Sequence, residues 1–122
     1  MSTIAVDNAR PSAGGTSYSL TSGVAKAWVN YSHNVNTING SNNISSITDD
    51  ATGVFTVDYT SNFSSSSYGF NMTTRRQGGT ARAATLNQGN IATTDIQITT
   101  TNLAGTLEDA ETNGVTLTGD LA

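Results

Sequence analysis

The chain lacks cysteine and has one proline, one histidine, one tryptophan and five basic residues in 122 positions. Without cysteine it forms neither a disulfide framework nor a thiolate metal site. Five scattered bases against nine acidic residues, a formal charge of −4, give no basic surface for a phosphate backbone. No apolar run approaches the roughly 20 residues that cross a bilayer. We therefore expect a protein that binds neither nucleic acid nor membrane.

Small hydroxyl and amide side chains dominate the residues that are present. The chain has 14 serines, 21 threonines and 13 asparagines, which together make up 48 of the 122 residues. Threonine favours strands through its β-branch, whereas asparagine, serine and glycine favour turns. Leucine, isoleucine, valine and phenylalanine total 23 residues, which is a thin core. The composition predicts an all-β domain that completes its burial by associating with other chains.

Period-two alternation of apolar and polar residues predicts the strands. It is clearest in Val24–Ser32, where Ala25, Ala27, Val29 and Tyr31 share one face. Further strands are predicted at Ile44–Thr48, Val54–Tyr59, from Tyr68 into Arg75-Arg76, at Thr94–Thr100 and at Val115–Gly119. Turn signals every 8–12 residues or so are typical of antiparallel sandwiches. We expect an antiparallel β-sandwich, jelly-roll-like, over residues 23–122.

The connections between these strands are predicted from turn-forming residues. Asn39-Gly40 is a type I′ hairpin signal, and Asn113-Gly114 predicts a turn before the last strand. The segment from Gln77 to Asn90 is predicted to be a loop, with a short helical turn over Thr80–Leu86 as an alternative.

Residues 1–22 are predicted to form an extended N-terminal arm. Apolar residues are few there, and Pro11 and the Gly14-Gly15 pair interrupt regular structure. A polar, glycine-containing terminus is mobile unless other groups tie it down. We therefore interpret the arm as an attachment segment, with Ile4, Val6 and Pro11 as its anchoring residues.

No pattern in the sequence indicates catalysis. His33 lies in a polar stretch without a patterned partner, so we expect an exposed loop residue. Asp49-Asp50 is expected in a hairpin turn, because the alternating ligands of a calcium loop are absent. Glu108, Asp109 and Glu111 are expected on a solvated loop. We predict no catalytic, cofactor-binding or metal-binding residue, and a protein that is not an enzyme.

Several side chains are candidates for contact with a partner. Arg75, Arg76 and Arg82 are three of the five basic residues, and either pair with acidic groups of a neighbouring protein or occupy a strand end and an exposed loop. Trp28 is expected in the core, with stacking on a sugar as the alternative. Tyr31 and Tyr68 are, with Arg75 and Arg76, the predicted surface-contact residues.

Three blocks of sequence carry a resemblance to a known family. The blocks are Val24–Tyr31 (VAKAWVNY), Ile44–Asp49 (ISSITD) and Gly53–Val57 (GVFTV). They resemble a β-domain of bacteriophage virion proteins, many of which are tail-fibre or structural proteins. The opening Ser2–Asn8, the segment Pro11–Thr16 and the strands near Ile96–Thr100 and Val115–Gly119 are also similar to that family.

The resemblance implies a homotrimer on the virion surface, assembled in the host cytoplasm. The arm would bind the major capsid protein or a tail or adaptor protein. Because no long stalk, coiled coil or collagen-like repeat precedes the domain, we expect a capsid decoration or head-fibre protein.

Two other functions remain open. A tail-fibre or receptor-binding protein would contact host surface glycans through Tyr31–Asn43 and Ser61–Tyr68. A hydrolase of envelope glycans would need a carboxylate pair, for which Asp58 and Asp95 are the strand candidates.

Overall fold

The computed structural model describes residues 8–9, 18–19, 24–75 and 82–122. The strands in these ranges are β1 (Asn8–Ala9), β2 (Tyr18–Ser19), β3 (Ala25–Ser32), β4 (Thr37–Asn42), β5 (Ile44–Ala51), β6 (Val54–Tyr59), β7 (Gly69–Arg75), β8 (Arg82–Ile91), β9 (Asp95–Asn102) and β10 (Thr112–Thr118). A 3-10 turn, His33–Val35, follows β3.

Two antiparallel four-stranded sheets pack face to face. Their strand orders are β4-β3-β10-β7 and β5-β6-β9-β8, and the hairpins β3–β4, β5–β6 and β8–β9 stay within one sheet. The chain changes sheet between β4 and β5, between β6 and β7, between β7 and β8, and between β9 and β10. The predicted antiparallel β-sandwich is confirmed.

The core lies between the inner faces of the central strands. Alternate residues of β3, β6, β9 and β10 are buried, which is the period-two pattern of a strand with one wet face. The buried apolar side chains of these strands are Ala27, Val29, Tyr31, Phe55, Val57, Tyr59, Ile96, Ile98, Val115 and Leu117. Each large one contributes about 1.5–3 kcal/mol by leaving water.

Strand direction gives the sandwich two distinct ends. β3, β5, β7 and β9 all run in one direction, and their partners run in the other. The end at which β3 begins, next in sequence to residues 1–22, also holds the 60–68 loop and residues 119–122. We call it the arm end. The opposite, free end holds residues 33–36, the β5–β6 turn and the 103–111 connection.

Two turn predictions from the sequence are wrong. Asn39-Gly40 lies inside β4, and Asn113-Gly114 lies inside β10. Both glycines leave space that a neighbouring strand fills: the Trp28 ring covers Gly40, and the Thr73 hydroxyl lies over Gly114. The β3–β4 reversal instead uses residues 33–36, with Asn36 in the left-handed region at φ 48°.

The predicted loop from Gln77 to Asn90 is also corrected. Residues from Arg82 onward form β8, which pairs with β9 from Arg82↔Asn102 to Leu86↔Ile98 and again at Ile91↔Ile96. The alternative of a helical turn over Thr80–Leu86 is wrong for the described part of that segment. The pairing register shifts between Leu86 and Ile91. A strand with such an irregularity does not need regular alternation of apolar and polar residues, so the sequence pattern predicts no strand there.

Within the predicted arm, the described residues form a short antiparallel pair. Asn8 lies opposite Ser19 and Ala9 opposite Tyr18 in β1 and β2. Ile4, Val6 and Pro11, the predicted anchoring residues, lie outside the described residues.

Candidate interaction surfaces

The outer face of the β4-β3-β10-β7 sheet carries the only tryptophan of the chain. Ala27, Val29 and Tyr31 point inward from β3, so Trp28 points outward. Its ring is 41 % exposed, and the prediction that it packs in the core is therefore wrong. Both faces of β3 carry apolar residues in sequence, and the structure buries Ala27, Val29 and Tyr31 while Ala25 and Trp28 are exposed. We call this surface the Trp28 face.

The cross-strand neighbours of Trp28 on this face are neutral and polar, and Lys26 lies two residues before Trp28 on β3. Strand pairing places Asn42 on one side of Trp28 and Thr116 on the other, with Asn71 beyond Thr116. Trp28 leans over Gly40, where a β-carbon added to the glycine would lie 3.4 Å from its ring. The indole is therefore in van der Waals range of the position that a side chain at residue 40 would occupy.

The Trp28 face continues toward the free end. Asn30 lies beyond Trp28 on β3, where Asn39 Nδ2 donates to Asn30 Oδ1 at 3.0 Å and to Ser32 Oγ at 2.8 Å. Arg75 ends β7 opposite Thr112 and is exposed. Its prediction as a surface residue agrees with this position. Arg76, the other predicted basic contact, lies outside the described residues.

The predicted contacts at Tyr31 and Tyr68 are wrong, because both rings lie in the core. Tyr31 is fully buried, and Tyr68 is 7 % exposed. Tyr68 packs on Phe63 with ring centroids 4.5 Å apart, and its edge lines a small depression of about 210 Å³ at the arm end. Strand alternation places tyrosine inward as readily as phenylalanine, provided that its hydroxyl finds a partner.

At the arm end, the hydroxyls of Tyr59 and Tyr68 both form hydrogen bonds. Tyr59 donates to the Tyr68 hydroxyl at 2.9 Å, and Tyr68 donates to the Ala92 carbonyl at 3.1 Å. Burial first, and then the bond to Tyr68, raise the pKa of Tyr59 above its ordinary value. Burial also raises the pKa of Tyr68. Both side chains are therefore held neutral across the physiological range.

At the free end, His33 occupies a position that sequence reasoning missed. The ring is 2 % exposed and packs on Tyr31 and Phe55, with centroids 5.6 and 5.1 Å away. His33 Nε2 lies 3.1 Å from Asp49 Oδ1 and 3.6 Å from Asp109 Oδ1. The prediction of an exposed loop histidine is therefore wrong. The His33 ring packs in the core, whereas its neighbours Asn34 and Asn36 are exposed.

The carboxylates around His33 join separate parts of the chain. Asp49 lies on β5, not in the predicted turn, and Asp109 Oδ1 accepts a 2.6 Å hydrogen bond from the Gly53 backbone. Burial first, and then the charges of Asp49 and Asp109, raise the pKa of Tyr31 to about 12. A negative Tyr31 would sit in a dry site beside two carboxylates, so it retains its proton.

Glu108 and Asp109, which were expected on a solvated loop, hold the 103–111 connection in place. Glu108 forms an ion pair with Arg82, whose side chain is buried and not on an exposed loop. Asn102 Nδ2 donates to Glu108 Oε1 at 2.7 Å. Gly53, at φ 70°, lets this connection approach closely, because a side chain there would collide with the Thr100 and Glu108 backbones. These acidic groups therefore serve structure.

The second outer face, on the β5-β6-β9-β8 sheet, is acidic. Asp58 lies directly opposite Asp95 on neighbouring strands, so the two strand carboxylates of the hydrolase hypothesis are adjacent. Ser46 donates to Asp58 Oδ2 at 2.8 Å and Thr94 to Asp95 Oδ2 at 2.6 Å. Like charges on directly opposed residues destabilise a sheet, and these hydroxyl bonds offset part of that cost. We call this surface the Asp58 face.

Within the described ranges, no three His, Cys, Asp or Glu side chains are placed to hold a metal ion. The same residues contain no helix long and apolar enough to cross a bilayer. Comparison of the chain with protein-family models, with curated proteins and with solved structures finds no match.

Proposed function

We propose that this protein is a non-catalytic structural protein of the bacteriophage virion surface, a trimeric capsid decoration or head-fibre protein anchored by residues 1–22. The observation that carries the proposal is that the two ends of the sandwich are distinct. The arm joins β3 at one end, and the free end lies a full strand length away. A domain held by its arm end presents the free end and both outer faces to its surroundings.

The surface chemistry supports an exposed structural role. The outer faces consist largely of threonine, serine, asparagine and glutamine side chains, with Asp58 and Asp95 on one face and Arg75 on the other. The free end is also pinned by side-chain contacts of Arg82, His33 and Asn102, which suits a region that must stay folded without a covering partner. The identification with phage particles rests on the resemblance of Val24–Tyr31 and Ile44–Asp49 to virion β-domains.

Copy number per particle tests the placement. Quantitative mass spectrometry of purified virions, referenced to the major capsid protein, should find hundreds of copies for a protein that follows the shell lattice. A few to a few tens of copies would contradict capsid decoration and place the protein at a tail or a vertex. Native mass spectrometry of the isolated protein should give the mass of three chains.

Deletion of residues 1–22 tests the anchoring role. The truncated chain should keep the β-sheet circular-dichroism spectrum and cooperative melting of the full chain, yet fail to bind particles that lack the protein. A matched control is Leu103→Ser, an exposed free-end change that should leave particle binding intact. Particle binding by the folded, truncated domain would contradict the proposal.

The second candidate function is a glycan-contacting tail or receptor-binding protein. One observation favours it: a half-exposed tryptophan lies on an outer sheet face between the neutral polar side chains of Asn42 and Thr116. The tyrosines first expected to make such contacts are buried, so this function depends on the Trp28 face.

A further inference from the structure

Trp28 is unusual among the exposed large apolar side chains of the described residues. Leu103 and Leu107 lie in the 103–111 connection, Val35 lies at the β3–β4 reversal, and Phe70 lies on β7 opposite the buried Leu117. Val24 lies just before β3, Ile38 lies on the edge strand β4 opposite the buried Tyr31, and Leu121 follows β10. Trp28 stands by itself in the middle of an outer sheet face. An isolated, half-exposed aromatic ring beside Gly40 offers an accessible apolar surface without a wider apolar patch around it.

The side chains that flank the ring carry hydrogen-bonding groups without charge. Asn42 and Thr116 lie on the strands next to β3, about 4.8 Å away on each side, and all three side chains point outward. Asn71 extends the row by one strand, and Asn30 lies two residues along β3. Amides donate and accept, and a threonine hydroxyl does both, so the row can satisfy a ligand that presents several hydroxyl groups.

We propose that the Trp28 face is a saccharide-binding site, on which a neutral pyranose stacks its apolar C–H face against the indole while Asn42, Thr116 and Asn71 bind its hydroxyls. A sugar has an apolar ring face and a rim of hydroxyl groups, and the aromatic ring and polar side chains of this row complement both. The ligand class is a neutral glycan chain, since a row that spans four strands accommodates several consecutive sugar units.

The same observations disfavour other occupants. A second protein chain needs a contiguous buried core that is richer in apolar side chains than a single tryptophan among asparagines and threonines. A nucleic acid needs a basic groove beside the aromatic platform, whereas Asn and Thr flank this ring, and Lys26 and Arg75 are the only basic residues in the described strands of this sheet. The inference goes beyond the proposed structural role and does not depend on it, because copy number and arm deletion leave the Trp28 face untouched.

Because Trp28 is the single tryptophan of the chain, its fluorescence measures ligand binding at this site directly. Because Trp28 is half exposed, its fluorescence should shift to shorter wavelength and become protected from iodide quenching when a sugar covers the ring. The probes are neutral α- and β-linked glucans, mannans, galactans and xylans, tested as soluble oligosaccharides with the full chain. At least one linkage class should give a saturable change that is insensitive to salt.

Variants separate the site from the rest of the surface. Trp28→Ala should weaken binding at least about tenfold in affinity electrophoresis, because stacking on the ring is lost. Asn42→Ala with Thr116→Ala should weaken it with the ring still present. Phe70→Ala, which removes another exposed aromatic from a different surface, should bind as the parent does. Each variant is first shown to melt cooperatively.

Three results would overturn the inference. The first is no fluorescence change with any neutral glycan of the panel. The second is unchanged glycan binding in Trp28→Ala. The third is protection of Trp28 that rises with protein concentration in the absence of sugar and matches self-association in sedimentation, which would assign the Trp28 face to a second copy of the chain.

Discussion

The two ends of the sandwich are closed by aromatic clusters of the same size but of different chemistry. At the arm end, Tyr59, Phe63 and Tyr68 pack with centroids 4.5–6.0 Å apart. At the free end, Tyr31, His33 and Phe55 pack with centroids 5.0–5.6 Å apart. Each cluster lies where strands of both sheets end and the chain crosses between sheets.

The polar atoms of the clusters differ in their partners, and His33 Nδ1 is buried without a hydrogen bond to a described residue. The arm-end hydroxyls bond to each other and then to backbone carbonyls, so no ion is involved. The free-end cluster faces the carboxylates Asp49 and Asp109 through His33. The arm-end network therefore consists of hydroxyl and carbonyl groups, whereas the free-end network includes two carboxylates and an imidazole.

Removing one phenylalanine from each cluster gives the largest expected effect. Phe55→Ala and Phe63→Ala should each lower the free energy of unfolding by about 3–5 kcal/mol, because both rings are fully buried. Urea denaturation at neutral pH measures both. A cost below about 1 kcal/mol for Phe63→Ala would show that the 60–68 loop does not close the arm end as described.

The His33 contacts distinguish the free end. His33→Ala should cost about 2–4 kcal/mol, since it opens a cavity between Tyr31 and Phe55 and removes the bond to Asp49. Asp49→Asn keeps an acceptor oxygen and is partly exposed, so it should cost less than about 1 kcal/mol. Equal losses in the two variants would mean that the charge of Asp49, and not the packing of the ring, holds this end together.

Alkaline pH should weaken the free end through Tyr31. The folded chain keeps the Tyr31 proton up to a pKa of about 12, whereas the unfolded chain releases it near a pKa of about 10. The unfolded state therefore binds fewer protons between these values, and stability falls as the pH rises, by on the order of 2 kcal/mol. Tyr31→Phe should flatten that fall in chemical denaturation series.

The pKa of Tyr59 is also raised, so by the same linkage Tyr59→Phe should flatten part of the alkaline fall, and the double variant with Tyr31→Phe should flatten more of it than either change alone. Asp49→Asn combined with Asp109→Asn should lower the pKa of Tyr31 followed by ultraviolet absorbance, because two nearby negative charges are removed. An unchanged Tyr31 titration in that double variant would leave burial as the whole cause.

The smallest effect is expected from single hydroxyls at the arm end. Tyr59→Phe removes one donor and should cost about 0.5–1.5 kcal/mol. Tyr68→Phe should cost more, because it strands the Tyr59 donor and frees the Ala92 carbonyl. Thermal melts rank the two variants. The reverse order would contradict the direction of the hydrogen-bond chain.

Sequence alternation predicts the strands where one face is buried and the register is regular. The predicted bounds of β3 and β6 agree with the structure within one residue at each end, since Ala27–Tyr31 and Phe55–Tyr59 alternate without a break. β8 escapes prediction, because its register breaks against β9 and its only large apolar residues are Leu86 and Ile91. Alternation also identifies the inward residues of β3, yet it misplaces Trp28 in the core, because both faces of that strand carry apolar side chains.

The candidate surfaces could be predicted less well than the fold. Polar stretches surround Tyr31, Tyr68 and His33 in sequence, which favours surface positions for all three. Their burial depends on partners 5 to 77 residues away, among them Asn36, Asp49, Ala92 and Ala110. Local composition carries no signal for such pairings. Arg75 is exposed at the end of β7, whereas Arg82, at the start of β8, has a buried side chain, so a position at a strand end does not decide exposure.

The sequence by itself determined the all-β class and the inward residues of the central strands, because strand periodicity is a local property of the chain. It also excluded disulfides, because the chain lacks cysteine. Tertiary structure alone decided that Trp28 faces outward over Gly40, that Asp58 meets Asp95, and that His33 joins Asp49 and Asp109. Each of these pairs residues on different strands, and which strands become neighbours depends on the packing of the whole chain.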